Sequence, residues 1–192
     1  MVGMVLRYFS LWASFFNNSL TRDLEFKANF LGGLIVDIIF YGIQFFFFSI
    51  IYSYVDALGV FTREDVMIFL VITFLADTFY MFFFSGNLFN LNRWMVRGDL
   101  DYFLLRPVES QFMVSFRYVK SYALVSIVIL LIMLTTLIID YSKPIGFFNV
   151  LAFVFSFLMG TVLWYSVDFI ISSSCFWFKN FSVSGWLSHE IL

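Results

Sequence analysis

The sequence is poor in the residues on which most enzymes and metal sites depend. Its one cysteine, Cys175, excludes an intrachain disulfide and a multi-cysteine metal site, and is expected to fill space within a helix. Its one histidine, His189, has no second ligand at metal spacing and is expected to lie in a solvated tail. No glycine-rich loop ending in Lys-Ser or Lys-Thr occurs, so we predict no ATP site, cofactor or metal in this chain.

Charge is also scarce, whereas apolar residues are abundant. Only 12% of the 192 residues are charged, about half the share in a soluble domain, and the net charge of −2 gives no basic surface for nucleic acid. Apolar residues make up 62% of the chain, and 30 of them are phenylalanine. Because a small soluble core cannot bury so many aromatic side chains, the composition predicts an all-α integral membrane protein.

Four apolar runs are long enough to cross a bilayer. They occupy residues 29–54, 66–84, 119–139 and 147–178, so we expect about four transmembrane helices. Thr62 and Asp65 resemble a capping box at the start of the second run. Tyr52, Tyr54 and Trp94, near predicted span ends, are expected in the interfacial aromatic belt.

Before the first run, residues 1–28 predict an amphipathic helix that lies in the membrane interface. Five apolar residues recur there at helical spacing, with polar residues largely on the other face. The apolar set is Val5, Phe9, Trp12, Phe16 and Leu20.

The basic residues predict how the spans are oriented. All Lys and Arg residues except Arg63 and Lys143 fall on one side of the predicted spans. Because cytoplasmic loops carry the excess of Lys and Arg, we expect a multi-pass protein with both termini and the loop at residues 87–112 in the cytoplasm.

Three aspartates, Asp37, Asp77 and Asp168, lie within predicted spans. A carboxylate at mid-bilayer costs about 2.5–3.5 kcal/mol, so each should face protein or water. They could line a polar or proton-linked pathway, or they could make hydrogen bonds between helices. Four glycines of the spans would allow close helix approach; they are Gly32, Gly33, Gly42 and Gly160.

The loop at residues 87–112 contains a short segment with a distinctive pattern, residues 97–108. Gly98 permits a turn, Asp99 can cap a following helix, and the leucine and aromatic residues give that helix an apolar docking face. Such a helix could transmit force from a soluble motor, or it could be an interfacial connector between spans.

The order Arg97-Gly98-Asp99-Leu100-Asp101, followed by Leu104-Leu105-Arg106-Pro107-Val108, resembles the signature of a bacterial family of ABC-2-type permeases that includes viologen-exporter-like transporters. The resemblance continues upstream through the charged residues that precede the first span, and through Asp77 in the second. The matching upstream residues are Arg22, Leu24, Glu25, Phe26, Asn29 and Phe30.

This resemblance implies a single permease domain over residues 1–192, paired with an identical or different permease subunit in the bacterial inner membrane. A separate ABC ATPase would carry ATP and Mg²⁺ and bind the cytoplasmic loops. The coupling residues would be Arg97, Gly98, Asp99, Asp101, Leu104, Leu105, Arg106 and Pro107. The family has six spans per subunit, so we expect a C-terminally shortened member.

Two other functions stay open at this point. A scaffold or accessory membrane protein without transport activity would also explain four spans that lack paired charges. A membrane enzyme would have only the aspartates at positions 37, 77 and 168 for catalysis. The favoured function is an exporter permease coupled to its ATPase through residues 97–108.

Overall fold

The structure is a computed structural model that describes residues 2–55 and 57–177, with side chains described from residue 6 onward. The helices are α1 (Val2–Glu25), α2 (Lys27–Tyr54), α3 (Arg63–Tyr80), α4 (Gly86–Leu88), α5 (Leu91–Arg97), α6 (Asp99–Leu104), α7 (Ser110–Phe116), α8 (Ser121–Ile139) and α9 (Phe147–Ser173). A π-helical turn, Met81–Ser85, follows α3, and a 3₁₀ turn, Ser174–Phe176, follows α9. Lys179, Trp186 and His189 lie outside the described residues.

Four helical stretches are long and apolar enough to span a membrane. They are Lys27–Tyr54, Arg63–Arg97, Ser121–Ile139 and Phe147–Phe176. The prediction of an all-α membrane protein with about four spans is therefore confirmed. The second stretch was predicted to end at residue 84, but it stays helical through the π-helical turn, α4 and α5, because aromatic and leucine residues there give it buried surface.

A small hairpin joins the first two spans. Strands β1 (Ala57–Leu58) and β2 (Phe61–Thr62) pair antiparallel across the turn at Gly59, whose φ is 66°. The predicted capping box is confirmed at the start of α3. The Thr62 backbone N–H donates to Asp65 Oδ2 over 2.9 Å, and the Asp65 N–H donates to Thr62 Oγ1 over 3.4 Å.

Helix α1 buries part of the apolar set that the sequence predicted. Phe9 is 66% exposed, whereas Leu11, Trp12, Phe15 and Phe16 are partly buried. Trp12, Phe16 and Leu20 of the predicted set are partly buried whereas Phe9 is not, because the buried face is centred nearer Leu11 and Phe15. The helix itself is confirmed, and its place in the membrane interface stays a prediction.

The described residues group into two compact units. The first unit contains the residues up to Arg22, residues 80–120 and those from Leu158 onward; the second contains residues 23–79 and 121–157. Each unit has its own apolar core. The core of the second unit is formed by Tyr41, Met67, Leu70, Val71, Phe74, Leu75, Leu130 and Leu134.

In the second unit, α2 and α8 pack closely at a glycine. A Cβ added to Gly33 would come within 2.9 Å of the Tyr122 ring. Cβ atoms added to Gly32, Gly42 or Gly160 would meet nothing within 4 Å in the described chain. Of the four glycines predicted to allow close approach, Gly33 is therefore the one that does so within this chain.

The first unit is built around Trp94, which is 7% exposed. Its ring meets the Phe103 ring edge-on, with centroids 5.3 Å apart. The prediction that Trp94 belongs to an interfacial belt is wrong, because α5 and α6 fold over it. Tyr52 is also buried, and its hydroxyl donates to the Phe61 carbonyl over 3.3 Å; Cys175 is fully buried in the first unit, as expected.

Candidate functional site

The segment predicted to couple to a motor is a helix–turn–helix corner. Helix α5 ends at Arg97, and Gly98 then adopts φ 78° and ψ 5°, a left-handed conformation that favours glycine. Helix α6 begins at Asp99, with Gly98 at the N-cap position and no side-chain cap. The prediction that Asp99 caps the helix is wrong; its carboxylate lies in the first turn, where the helix dipole favours negative charge.

Helix α6 is fixed to the first unit by one apolar face. Leu100 and Phe103 are 9% and 3% exposed, and both belong to the core that contains Trp94. The Arg117 guanidinium lies 4.6 Å from the Phe103 ring centroid. The sequence predicted a docking face formed by the leucine and aromatic residues of the segment. Of these, Leu100 and Phe103, which lie one turn apart on α6, pack in the core.

The opposite side of this corner is exposed. Leu104 and Leu105 are 60% and 83% exposed. All eight residues predicted to couple are exposed; they are Arg97, Gly98, Asp99, Asp101, Leu104, Leu105, Arg106 and Pro107. An apolar pair flanked by charges of both signs is the kind of surface that a protein partner binds. We call this exposed set the coupling surface.

Contacts with α1 hold the end of the coupling surface in place. Arg7 Nη2 donates to the Pro107 carbonyl over 3.2 Å, and the Glu109 N–H donates to the Tyr8 hydroxyl over 3.3 Å. Within the surface, Arg106 donates to the Tyr102 hydroxyl, and its guanidinium lies 4.4 Å from the Tyr102 ring centroid. The corner that carries the exposed residues is therefore held in place by contacts with α1.

Two of the predicted aspartates are buried and hydrogen-bonded. Asp37 on α2 is 8% exposed and accepts a hydrogen bond from Ser126 Oγ of α8 over 2.8 Å. Asp168 on α9 is 7% exposed and accepts a hydrogen bond from the Tyr80 hydroxyl. Each carboxyl group has a partner from another helix of its unit, which offsets the cost of burial.

Asp77 is half-buried in the second unit. The Tyr41 hydroxyl lies 3.4 Å from Asp77 Oδ2 and 2.7 Å from Thr78 Oγ1. Thr78 Oγ1 in turn donates to the Phe74 carbonyl over 2.8 Å. Tyr41 lies one helical turn after Asp37 on α2. Asp77 of α3 therefore contacts the same face of α2 that carries Asp37.

The second unit also contains a cavity of about 870 Å³ that sequence reasoning missed. Its polar end holds an ion pair, in which Lys143 Nζ lies 2.8 Å from Asp65 Oδ2, and the Tyr141 hydroxyl donates to Asp65 Oδ1 over 2.6 Å. The apolar lining is Phe48, Val60, Phe61, Val66, Ile68, Phe69, Ile72, Leu134, Ile138, Ile145, Val150, Phe153 and Val154. Such a lining accommodates an apolar or amphipathic molecule.

Hydrogen bonds at the polar end of this cavity shift the titration of two groups. The Asp65 carboxylate accepts hydrogen bonds from Lys143 and Tyr141 and thereby raises the pKa of both. In the sequence, Lys143 was considered only for the side of the spans on which its charge lies. Its pairing joins the loop after α8 to the start of α3, which spacing along the chain could not indicate.

A comparison with family models gives one match. The model for ABC-2 family transporter proteins matches residues 38–191, which is most of the chain. The comparisons with curated proteins and with solved structures give no match. The matched region includes the last three spans and the whole coupling surface.

Proposed function

Because this chain belongs to the ABC-2 family of transporter proteins, the membrane permeases of ABC transporters, we propose that it forms half of an export pathway and docks an ATPase on its coupling surface. Two such permease subunits, identical or different, would enclose the pathway. ATP and Mg²⁺ would bind to the ATPase alone. The orientation predicted from the basic residues would put the coupling surface on the cytoplasmic side of the membrane, which the resemblance implies to be a bacterial inner membrane.

The single observation that supports this proposal best is the combination of burial and exposure in α6. Leu100 and Phe103 are packed in the core, while Leu104 and Leu105 on the same helix end are exposed. A partner that binds Leu104 and Leu105 would therefore move α6, which is packed against the core, rather than a loose loop. The permease would alternate between two conformations. An ATPase that closes on ATP would bind one of them more tightly and so shift their populations.

Hydrogen bonds also connect the coupling surface to α1. A displacement of the coupling surface acts on α1 through the Arg7 contact to Pro107 and the Tyr8 contact to Glu109. In the family model the region before residue 38 is not matched, so this part of the argument rests on the contacts alone.

The proposal is tested by co-purifying the tagged chain in mild detergent with ATPase subunits from its own source. Leu105→Ser should weaken ATPase retention by about tenfold or more, since full burial of a leucine side chain contributes about 1.5–3 kcal/mol. Val60→Ser is the matched control, because Val60 is 84% exposed and lies on the hairpin, on the predicted opposite side of the membrane.

Retention that is equal for both variants would reject the coupling surface as the docking site. A chain that purifies intact but binds no ATPase at all would favour the scaffold or accessory function instead. Export is tested separately, by ATP-dependent movement of a candidate compound out of cells that contain the permease and the ATPase.

A further inference from the structure

The cavity of about 870 Å³ in the second unit is not used by the proposed function. Its walls come from the hairpin between α2 and α3, from the loop between α8 and α9, and from the nearby turns of these four helices. All of its lining residues belong to the second unit. Its volume falls within the range of about 300–1,000 Å³ that is usual for small-molecule sites. We call it the apolar cavity.

The apolar cavity is confined to the depth of one membrane leaflet. Its polar end is formed by Asp65, at the start of α3, and by Lys143, in the loop after α8. Its apolar lining reaches Ile72 on α3, two helical turns from Asp65, which is about 10 Å along the helix axis. One leaflet supplies about 15 Å of hydrocarbon, half of the usual bilayer core. An occupant can therefore enter from one leaflet without crossing the bilayer.

The apolar cavity is accessible from the side of the spans. Phe69 of α3 and Val150 and Val154 of α9 line the cavity and are exposed. All three lie within spans, so in a bilayer their exposed surface lies at the depth of the lipid chains rather than in water. An apolar molecule can reach the cavity at this point without leaving the membrane.

The charges at the polar end of the apolar cavity cancel each other. Lys143 Nζ donates to both oxygens of Asp65, over 2.9 and 2.8 Å. The same carboxylate accepts hydrogen bonds from the Thr62 backbone N–H and hydroxyl, and these four bonds occupy the roughly four lone-pair sites of a carboxylate. The neighbouring Glu64 carboxylate accepts from the Ser142 N–H and hydroxyl. A cationic ligand would therefore find no open carboxylate among the described residues at this end.

Two groups at the polar end still have capacity for hydrogen bonds. The Lys143 ammonium has three hydrogens, and the bonds to Asp65 use two of them. The Asn149 backbone N–H donates to the Gly146 carbonyl over 3.0 Å, whereas the Asn149 side-chain amide has no hydrogen bond to a described residue. Asn149 and Lys143 both line the cavity. They favour a ligand that accepts hydrogen bonds next to its apolar part.

From these observations we propose that the apolar cavity binds one acyl chain of a phospholipid, from the leaflet that meets the hairpin between α2 and α3. A phospholipid has ester carbonyl and phosphate oxygens where its chains begin, and these would accept hydrogen bonds from Lys143 and Asn149. A transmembrane helix of another subunit satisfies its own backbone groups, so it would leave both donors unused. The distribution of basic residues predicts that this leaflet is the outer one. No residue of the coupling surface takes part, so the proposal does not rest on the docking of an ATPase.

Binding is tested by native mass spectrometry of the full chain, purified in mild detergent, stripped of lipid and titrated with palmitoyl-oleoyl phosphatidylcholine. Val154→Trp should fill the cavity from its accessible side and weaken binding about tenfold or more, because each displaced methylene group of the acyl chain weakens binding by about fourfold. Val162→Trp is the matched control, because Val162 is an exposed valine two turns further along α9 that does not line the cavity. Equal binding by the two variants would overturn the proposal.

The role of the polar end is tested by Asn149→Leu, a substitution with little risk to folding because Asn149 is exposed. It should weaken phosphatidylcholine binding about fivefold, the contribution of one net hydrogen bond. Asn18→Leu is its control, because Asn18 is exposed on α1 and does not line the cavity. Equal effects of these two variants would reject the assigned position of the lipid oxygens. If the wild type retains no lipid and Val154→Trp dissociates a dimer that Val162→Trp preserves, a second copy covers the cavity and the lipid assignment is wrong.

Discussion

The side-chain amide of Asn87 pairs with both backbone groups of Tyr118. Its Nδ2 donates to the Tyr118 carbonyl and its Oδ1 accepts from the Tyr118 N–H, each over 2.7 Å. The segment before α8 has no helical partner for these groups, so the asparagine supplies what secondary structure would otherwise provide. One amide therefore satisfies both backbone groups of Tyr118 and helps to hold the segment that precedes α8.

Replacement of this asparagine should destabilise the chain. Asn87→Ala leaves the two partly buried backbone groups of Tyr118 without their amide partner, each at a cost of about 1–3 kcal/mol, so we expect a loss of about 2–6 kcal/mol. The measurement is the free energy of unfolding in mixed micelles. Asn18→Ala is the control, because Asn18 is exposed on α1; equal losses in the two variants would contradict the prediction.

Adjacent glycines of α2 should respond differently to a larger side chain. Gly33→Leu drives carbon atoms into the Tyr122 ring and should cost about 1–3 kcal/mol by overpacking. Gly32→Leu has the same change in helix propensity, but a Cβ at that position meets nothing within 4 Å in the described chain. Thermal unfolding in detergent should therefore show a lower midpoint for Gly33→Leu than for Gly32→Leu, and the reverse order would exclude this packing.

The hydrogen bond between Asp37 and Ser126 should appear as a coupling energy. In a double-mutant cycle with Asp37→Ala and Ser126→Ala we expect about 1 kcal/mol, a usual value for polar contacts between membrane helices. Ser53→Ala serves as the control partner, since among the described residues the Ser53 hydroxyl donates to the Ile50 carbonyl of its own helix. A coupling of zero for Asp37 with Ser126 would mean that the contact does not stabilise the fold.

The stabilising effect of Lys143 should disappear at high pH. Because Asp65 raises the pKa of Lys143 in the folded chain, the ion pair contributes its full stability below the usual lysine pKa of about 10.4. The contribution is lost as the pH rises through the raised value. The difference in unfolding midpoint between wild type and Lys143→Gln should shrink over that range; a difference independent of pH would contradict the pairing.

Gly98 should resist substitution. Gly98→Ala places a Cβ on a residue at φ 78°, which costs about 1–2 kcal/mol, and it should also reduce ATPase retention by distorting the corner between α5 and α6. Gly146→Ala is the matched control, because Gly146 does not have a positive φ. Equal stability and equal ATPase retention in the two variants would show that the left-handed turn is dispensable.

The spans could be predicted from the sequence because each is a long apolar run, and membrane helices satisfy their own backbone hydrogen bonds. The capping box at Thr62 and Asp65 was equally visible, since both partners lie within four residues. Local patterns of this kind need no knowledge of what lies elsewhere in the chain.

Pairings between distant residues could not be predicted in this way. Asn87 was assigned to a polar loop, whereas it is buried against Tyr118, 31 positions later. Trp94 was assigned to the membrane surface, whereas Phe103 covers it. Both errors come from judging a side chain by its neighbours in sequence, when tertiary contacts decide whether a polar or aromatic residue is buried.

The burial of Cys175 has a practical consequence for spectroscopy. It is the only cysteine of the chain, and its side chain is inaccessible. A cysteine introduced at Leu105 would therefore be the one thiol that a spin label or fluorophore reaches quickly, without prior removal of the native thiol. In the proposed pair of permease subunits, distances between the two labels, measured with and without nucleotide, would then report whether the corner between α5 and α6 moves.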